Sequence, residues 1–297
     1  MKALMWRYGL ELVDIPIPPV EGDEVLGKVL VAVFGIIDKA IGTGFLPHKE
    51  VIAGSMALIR IIEPAINQDY VREGELCLVK PRCLSRTHGL DTDGFLSEYC
   101  KARKECIVRL PQKTQPSMDL MLAFEFSYVD DLLNSLEGND IVIMGCNLDA
   151  LVLSVSLSSK YNVTVICRNG KIRKHIASTG ANIVKPERVR GEYDAAILVS
   201  YTLSEGIDVV KLLKDRATIV IPPTHPPYYI SSKNVKRLIK IFIPTLQSPN
   251  YGYPYIKRLP KNVLKEFIAA TKELKDVSSL ARYFDRVYYF AHSIEIR

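Results

Sequence analysis

Along its first 125 residues the chain carries short apolar runs cut by Gly and Pro, a pattern of strands and turns. Lys2 to Arg7, Leu10 to Ile15 and Glu24 to Phe34 open the series, and Val51 to Ile62 and Glu75 to Val79 continue it. Pro16, Pro18 and Pro19 mark an extended connection, because proline fixes its own φ and disfavours helix in the residue before it. After Gln112 the period changes. Asp119 to Glu137 spaces apolar residues at helical intervals, with Asp119, Asp130 and Asp131 on polar faces. A compact apolar strand, Asp140 to Met144, then leads through a turn to a helix-like stretch, Leu148 to Tyr161. Asn162 to Ile166 reads as a second buried strand and Lys171 to Thr179 as a helix. Ala181 to Val184, Ala195 to Val199 and Ala217 to Ile221 supply further strands.

Strands alternating with helices at this spacing predict an α/β fold built on a parallel sheet covered on both faces. From about residue 255 a lysine-rich helix (Val263 to Leu274) precedes a terminal strand, Ser293 to Ile296. That tail is placed to complete the first domain. The expected organisation is therefore residues 1–125 with 255–297 as one domain, and 126–254 inserted as a second.

Composition narrows the class. With 48% apolar and 24% charged residues, the 297-residue chain can bury real cores as a soluble globular protein. No stretch approaches the roughly 18 apolar residues of a membrane span, and no basic region followed by an apolar run opens the chain. Cytoplasm is the expected compartment, with no membrane partner. The net charge of +6 comes without a recognisable nucleic-acid module, so no nucleic-acid partner is expected. Six cysteines (Cys77, Cys83, Cys100, Cys106, Cys146 and Cys167) are scattered without a CxxC and are expected as reduced thiols. Scarce Gln beside plentiful Ile, Tyr, Lys and Arg resembles a thermophile's composition.

The strand Ile141 to Met144 runs into Gly145-Cys146-Asn147-Leu148-Asp149-Ala150 and a helix, where a Gly-x-Gly-x-x-Gly phosphate loop would fall. The first glycine of that loop permits the turn, the second lets backbone meet pyrophosphate, and the third allows close helix–strand packing. Here Gly145 remains and Ala150 is a tolerable third residue. Asn147 brings a side chain to the phosphate position, and Asp149 adds a negative charge that suits the helix dipole but repels a diphosphate. At the end of the second strand, Cys167-Arg168-Asn169-Gly170-Lys171 has cations where an NAD enzyme has an acid, so a bound dinucleotide would be NADP(H). Gly145, Asn147, Ala150, Arg168 and Lys171 are the candidate cofactor residues.

The opening MKALMWRYGLELVDIPIPPVEGDEVLGKVLVAVFGI, the segment Thr92-Asp93-Gly94-Phe95-Leu96-Ser97-Glu98-Tyr99 and the ECIVRLP beyond it resemble, in order, the medium-chain dehydrogenase/reductase superfamily. Ile37 to Gly44 and His292 to Arg297 are similar to the active-site turn and C-terminal strand of archaeal glucose dehydrogenases. The resemblance implies a GroES-like β-rich domain joined to a Rossmann-like domain, with an interdomain cleft for a small-molecule ligand. It also implies dimers or tetramers built through the Rossmann-like domain.

The departures from the family pattern fall where the chemistry should be. Ile37 or a gap stands at the family's zinc cysteine, Ser55 and Met56 replace its His and Glu, and Glu125 lies one place out of register for a further carboxylate. Zinc takes Cys, His, Asp or Glu, so no catalytic zinc is expected. The structural-zinc lobe is cut to Cys83 and His88, too few for four-coordinate metal. Asp38, Lys39 and His48 remain as candidate acid–base groups, although adjacent residues on a turn ordinarily face solvent. Tyr228 and Tyr229 could border a nicotinamide, or pack as an aromatic rim. Ser/His/Asp hydrolysis has no GxSxG support. The sequence leaves two readings: a relative without the ancestral zinc chemistry that serves as scaffold or binding protein, and a zinc-independent NADP(H) oxidoreductase of a small carbonyl or quinone.

Overall fold

A computed structural model describes residues 1–47, 49–66, 70–168, 170–200, 208–225 and 237–291. The chain divides into two compact units, Met1–Met121 with Lys265–Arg297, and Leu122–Leu264. The first runs through β1 (Lys2–Trp6), β2 (Leu10–Asp14), β3 (Glu24–Phe34), the short helix α1 (Ile36–Gly42), β4 (Val51–Ile52) and β5 (Met56–Glu63). It continues with β6 (Leu76–Val79), β7 (Arg82–Cys83), β8 (Arg86–Thr87), β9 (Tyr99–Arg103) and β10 (Ile107–Arg109). β1 pairs antiparallel with β2 and β4 in one small sheet. β3 is the spine of a larger one, pairing with β5 and β9. Val25, Gly27, Val29 and Val31 of β3 alternate as buried residues, the pattern of a strand with one face on a core, and from Val31 to Phe34 both faces are covered.

The single strand expected from Val51 to Ile62 is two strands. Gly54 takes φ +91°, a left-handed conformation that suits glycine, and the chain changes sheets there: β4 pairs with β1, whereas β5 pairs with β3 and β6. The expected active-site turn from Ile37 is also regular structure, the helix α1.

The next stretch holds α2 (Met118–Glu125), α3 (Val129–Ser135), β11 (Asp140–Met144), α4 (Leu148–Leu157), β12 (Asn162–Ile166), α5 (Arg173–Ala177) and β13 (Asn182–Val184). β14 (Tyr193–Leu198), β15 (Leu213–Val220), β16 (Lys240–Phe242) and α6 (Pro249–Ile256) follow. The strands form a six-stranded parallel sheet in the order β13-β12-β11-β14-β15-β16. Numbered from β11, that is the 3-2-1-4-5-6 order of a Rossmann sheet. Central β11 buries Ile141, Val142 and Ile143 completely, as a strand covered on both faces must. The helix expected over Asp119 to Glu137 is broken at Phe126 to Tyr128. There the Ser127 hydroxyl donates to Phe124 O, a local bond that competes with the helical ladder, and accepts from Gln247 N, 120 residues away.

The chain returns through α7 (Lys261–Phe267), β17 (Ile268–Thr271), α8 (Leu274–Leu280) and β18 (Arg286–Phe290). β18 pairs antiparallel with β3 and parallel with β17, so the tail completes the large sheet of the first unit. The expected helix Val263 to Leu274 therefore ends at Phe267: pairing of Ile268–Thr271 with β18 overrides the local helical pattern. The expected strand Ser293 to Ile296 lies outside the described residues. The fold class is that expected, a mixed α/β chain with a β-rich unit and a Rossmann-type parallel sheet.

Packing within the second unit is tight enough to test. A Cβ added at Gly252 of α6 would stand 1.7 Å from the backbone oxygen of Ala123 in α2, whereas one added at Gly9 meets nothing within 4 Å. Gly252→Ala should destabilise the protein by about 3 kcal/mol or more, and Gly9→Ala by less than about 0.5 kcal/mol. Urea unfolding of both variants checks this; a Gly252→Ala protein as stable as the parent would refute the α2–α6 packing.

Candidate functional site

In an open α/β sheet, ligands bind in the crevice outside the carboxyl ends of the strands, where strand order reverses. That place is the end of β11, between β12 and β14. Gly145 leaves the strand at φ +136°, and an added Cβ would come within 2.9 Å of Ser200 N, so the turn requires glycine. Asn147 is the N-cap of α4: its Oδ1 accepts from Ala150 N at 3.1 Å while its Nδ2 donates to Val199 O at 2.7 Å. Asp149 lies in the first turn, completely buried, with Oδ2 at 3.8 Å from Nε2 of the equally buried His225. That Nε2 is also 3.1 Å from Val199 O, and Nδ1 is 3.2 Å from Thr224 Oγ1.

A helix N-terminus attracts phosphate through free N–H groups and its dipole. In α4 the capping amide holds one of those N–H groups and a carboxylate already occupies the first turn. The residues present do not fit a bound diphosphate. His225 carries no sequence signal of this role, because only folding brings the loop after β15 to the first turn of α4.

The cationic end of β12 is arranged differently. Arg168 Nη2 pairs with Glu187 Oε1 at 3.1 Å, both side chains more than half exposed, and such pairs are worth about 0–1 kcal/mol. Lys171 is exposed. Between the two strand ends, Cys146 and Cys167 form a disulfide with Cα atoms 5.0 Å apart. Cys83 and Cys106 form another in the first unit, 5.3 Å apart. The expectation of six reduced thiols is therefore corrected for four of them, Cys106 included. The partners are 21 and 23 residues apart in sequence, and the fold alone brings them together. Cys77 and Cys100 stay as buried thiols, each pushed up to about 12 by burial.

The zinc-type positions of the first unit hold poor ligands. Ile37 is completely buried, and Ser55 and Met56 are 5% and 1% exposed. A hydroxyl, a thioether and an alkyl chain do not fit a catalytic zinc. Glu125, in the second unit, is buried as well. Among the described residues no three of His, Cys, Asp and Glu gather as a metal-holding group. His88 turns Nδ1 toward Thr92 Oγ1 and Asp93 O, both at 3.2 Å, and burial lowers its pKa. It helps line a cavity of about 630 Å³ with Arg86, Lys101, Glu24 and Asp93.

Asp38 and Lys39 do not face solvent as expected of a turn. Asp38 is fully buried in the first turn of α1, where Oδ2 accepts from Gly35 N at 3.0 Å and Oδ1 from Gly54 N at 2.7 Å. Burial raises its pKa to about 6, against the lowering effect of those two backbone bonds. Lys39 is half-buried; its ammonium donates to Phe284 O, and burial lowers its pKa. The two side chains serve separate backbone contacts. His48, Tyr228 and Tyr229 lie outside the described residues.

No family model matches the chain, and no curated protein does. Solved structures do. Alcohol dehydrogenase from Aeropyrum pernix matches with a TM-score of 0.70 at 15% identity, over 98% of this chain and 100% of that one. Glucose dehydrogenase from Haloferax mediterranei matches with a TM-score of 0.69 at 14% identity, over 99% and 100%; the same enzyme in complex with NADP, Zn and gluconolactone gives 0.65. 2R,3R-butanediol dehydrogenase from Bacillus subtilis gives 0.65 at 16% identity, over 98% and 99%. The chain thus has the fold of the medium-chain dehydrogenases/reductases along nearly its whole length.

Asp38 offers a test of the site's electrostatics. The folded chain holds this proton to higher pH than the unfolded chain, so the group's contribution to unfolding free energy falls as pH rises from about 4 to about 6 and is level above. Measured against Asp38→Asn, wild-type stability should drop by up to roughly 3 kcal/mol across that window. A carboxyl resonance titrating near 4 instead of 6 would refute the burial argument.

Proposed function

We propose that this chain is a dehydrogenase-fold protein that works without zinc and without a resident dinucleotide, as a scaffold or binding protein. The N-terminus of α4 carries this reading: Asn147 holds the Ala150 N–H, and Asp149 puts a buried carboxylate in the first turn, a negative charge that opposes a bound diphosphate. The donor chemistry of Ile37, Ser55 and Met56 supports the same reading for metal. The competing reading is a zinc-independent NADP(H) oxidoreductase of a small carbonyl or quinone. It is favoured by exposed Arg168 and Lys171, which suit a 2′-phosphate. We read the compartment as cytoplasm and the host as a thermophile; two disulfides accord with that, since intracellular proteins of hyperthermophiles are disulfide-rich.

Calorimetric titration of the purified chain with NADPH and NADH, with metal content assayed on the same sample, separates the two. Neither cofactor should bind with a Kd below ~1 mM, and zinc should be substoichiometric. Tight NADPH binding without zinc would replace the scaffold reading with the reductase.

The second unit also supports self-association through β16. Among the described residues this strand is an edge of the parallel sheet, and around it Leu238 and Ile241 are 70% and 57% exposed. An apolar edge strand is a template for pairing, and a second copy of the same strand is the simplest symmetric occupant. Light scattering should give at least twice the 33.4 kDa chain mass, and Ile241→Lys should shift the protein to monomer. A parent that stays monomeric at micromolar concentration would end this proposal.

A further inference from the structure

We propose that the Cys146–Cys167 bond is a covalent brace across the ligand crevice of the second unit, joining the ends of β11 and β12 as a bound dinucleotide would. The two strands run parallel in register up to the pair Met144 and Ile166. Cys146 and Cys167 lie just past those paired ends, one in the turn into α4 and one at the start of the β12 loop. Backbone bonds pin both flanks, Gly145 N to Ile166 O at 3.2 Å and Cys167 N to Val184 O at 2.9 Å. A Cβ placed on Gly170 would stand 3.3 Å from Cys146 Sγ, so the β12 loop packs directly on the bridge. Cys167 is completely buried, whereas Cys146 is partly accessible, which gives a small thiol an approach to one sulfur.

The bond forms by exchange with a low-molecular-weight disulfide. One cysteine thiolate attacks it and releases a first thiol, giving a mixed disulfide. The second cysteine thiolate then displaces the other thiol. Two protein thiols lose two electrons and two protons, and one small disulfide becomes two thiols. Closing a loop of this length restricts the unfolded chain and so stabilises the folded one. The inference is independent of whether NADPH binds.

Trypsin supplies a direct test, since no Lys or Arg lies between residues 114 and 159 and residues 161–168 end in Arg168. After alkylation of free thiols without reductant, peptides 114–160 and 161–168 should remain joined and separate only on reduction. In a Cys83→Ser/Cys106→Ser background, Cys146→Ser and Cys167→Ser should each lower Tm by about 5–10 °C, with no further fall in the double variant. A phosphine reductant should lower the Tm of that background protein by the same amount and leave the two variants unchanged. Hydrogen exchange should rise around residues 145–148 and 167–172 on reduction. Should the variants not fold, the reduced background protein supplies the same comparison. Separately alkylated peptides, or a Tm indifferent to reductant, would overturn the proposal.

Discussion

The first-turn N–H groups of a helix can be committed once, and the way α4 commits them governs its end of the second unit. A single side chain, Asn147, caps the helix through Oδ1 and ties it to the end of β14 through Nδ2. Val199 O receives that amide and also faces His225 Nε2, so one carbonyl joins the helix cap to the loop after β15. Asp149 complements the helix dipole, but a buried carboxylate is tolerated only with compensation, and His225 at 3.8 Å provides part of it. The contacts are interdependent. Replacing Asn147 alone with glycine would open the cap and leave the carboxylate in place.

The first unit also commits a buried carboxylate to backbone N–H groups. Asp38 uses both carboxylate oxygens on backbone N–H groups, joining the start of α1 to the break between β4 and β5. That break has its own requirement: a Cβ on Gly54 would lie 2.9 Å from Leu96 Cγ, and the φ of +91° disfavours other residues. A buried carboxyl with a pKa raised to about 6 could suggest acid–base chemistry, since catalytic groups are often shifted in this way. Both of its oxygens accept from backbone N–H groups, bonds that shape the fold.

The strands legible in the sequence are those whose information is local. Glu24–Phe34, Asp140–Met144 and Asn162–Ile166 were readable to the residue because buried strands are apolar runs with turn residues at their ends. The turn and helix after β11 were readable for the same reason, since Gly145 to Ala150 is a short segment directly after an apolar strand. What could not be read depends on distant partners. Ser127 interrupts a helix because Gln247 arrives 120 residues later. Ile268–Thr271 leaves a helical pattern because β18 offers it a ladder. Neither disulfide has a spacing that announces it, and His225 gains its place only when β15 lies beside β14.

The two disulfides do by covalent closure what a bound ligand does by affinity, which is to stabilise the folded chain. Cys146–Cys167 joins the ends of β11 and β12, and Cys83–Cys106 joins β7 to the turn that enters β10. The physical equivalence is thermodynamic. A ligand that binds the folded chain stabilises it in proportion to RT ln(1 + [L]/Kd), so the gain depends on ligand supply. A disulfide acts chiefly on the unfolded chain, and its effect persists at any cofactor concentration while the bond remains oxidised. On the reading proposed above, in which no dinucleotide is resident, the first kind of stabilisation is not used at this crevice. Covalent closure at Cys146–Cys167 is the second kind, and on the same reading it ties the stability of this end of the sheet to the redox state of the surroundings.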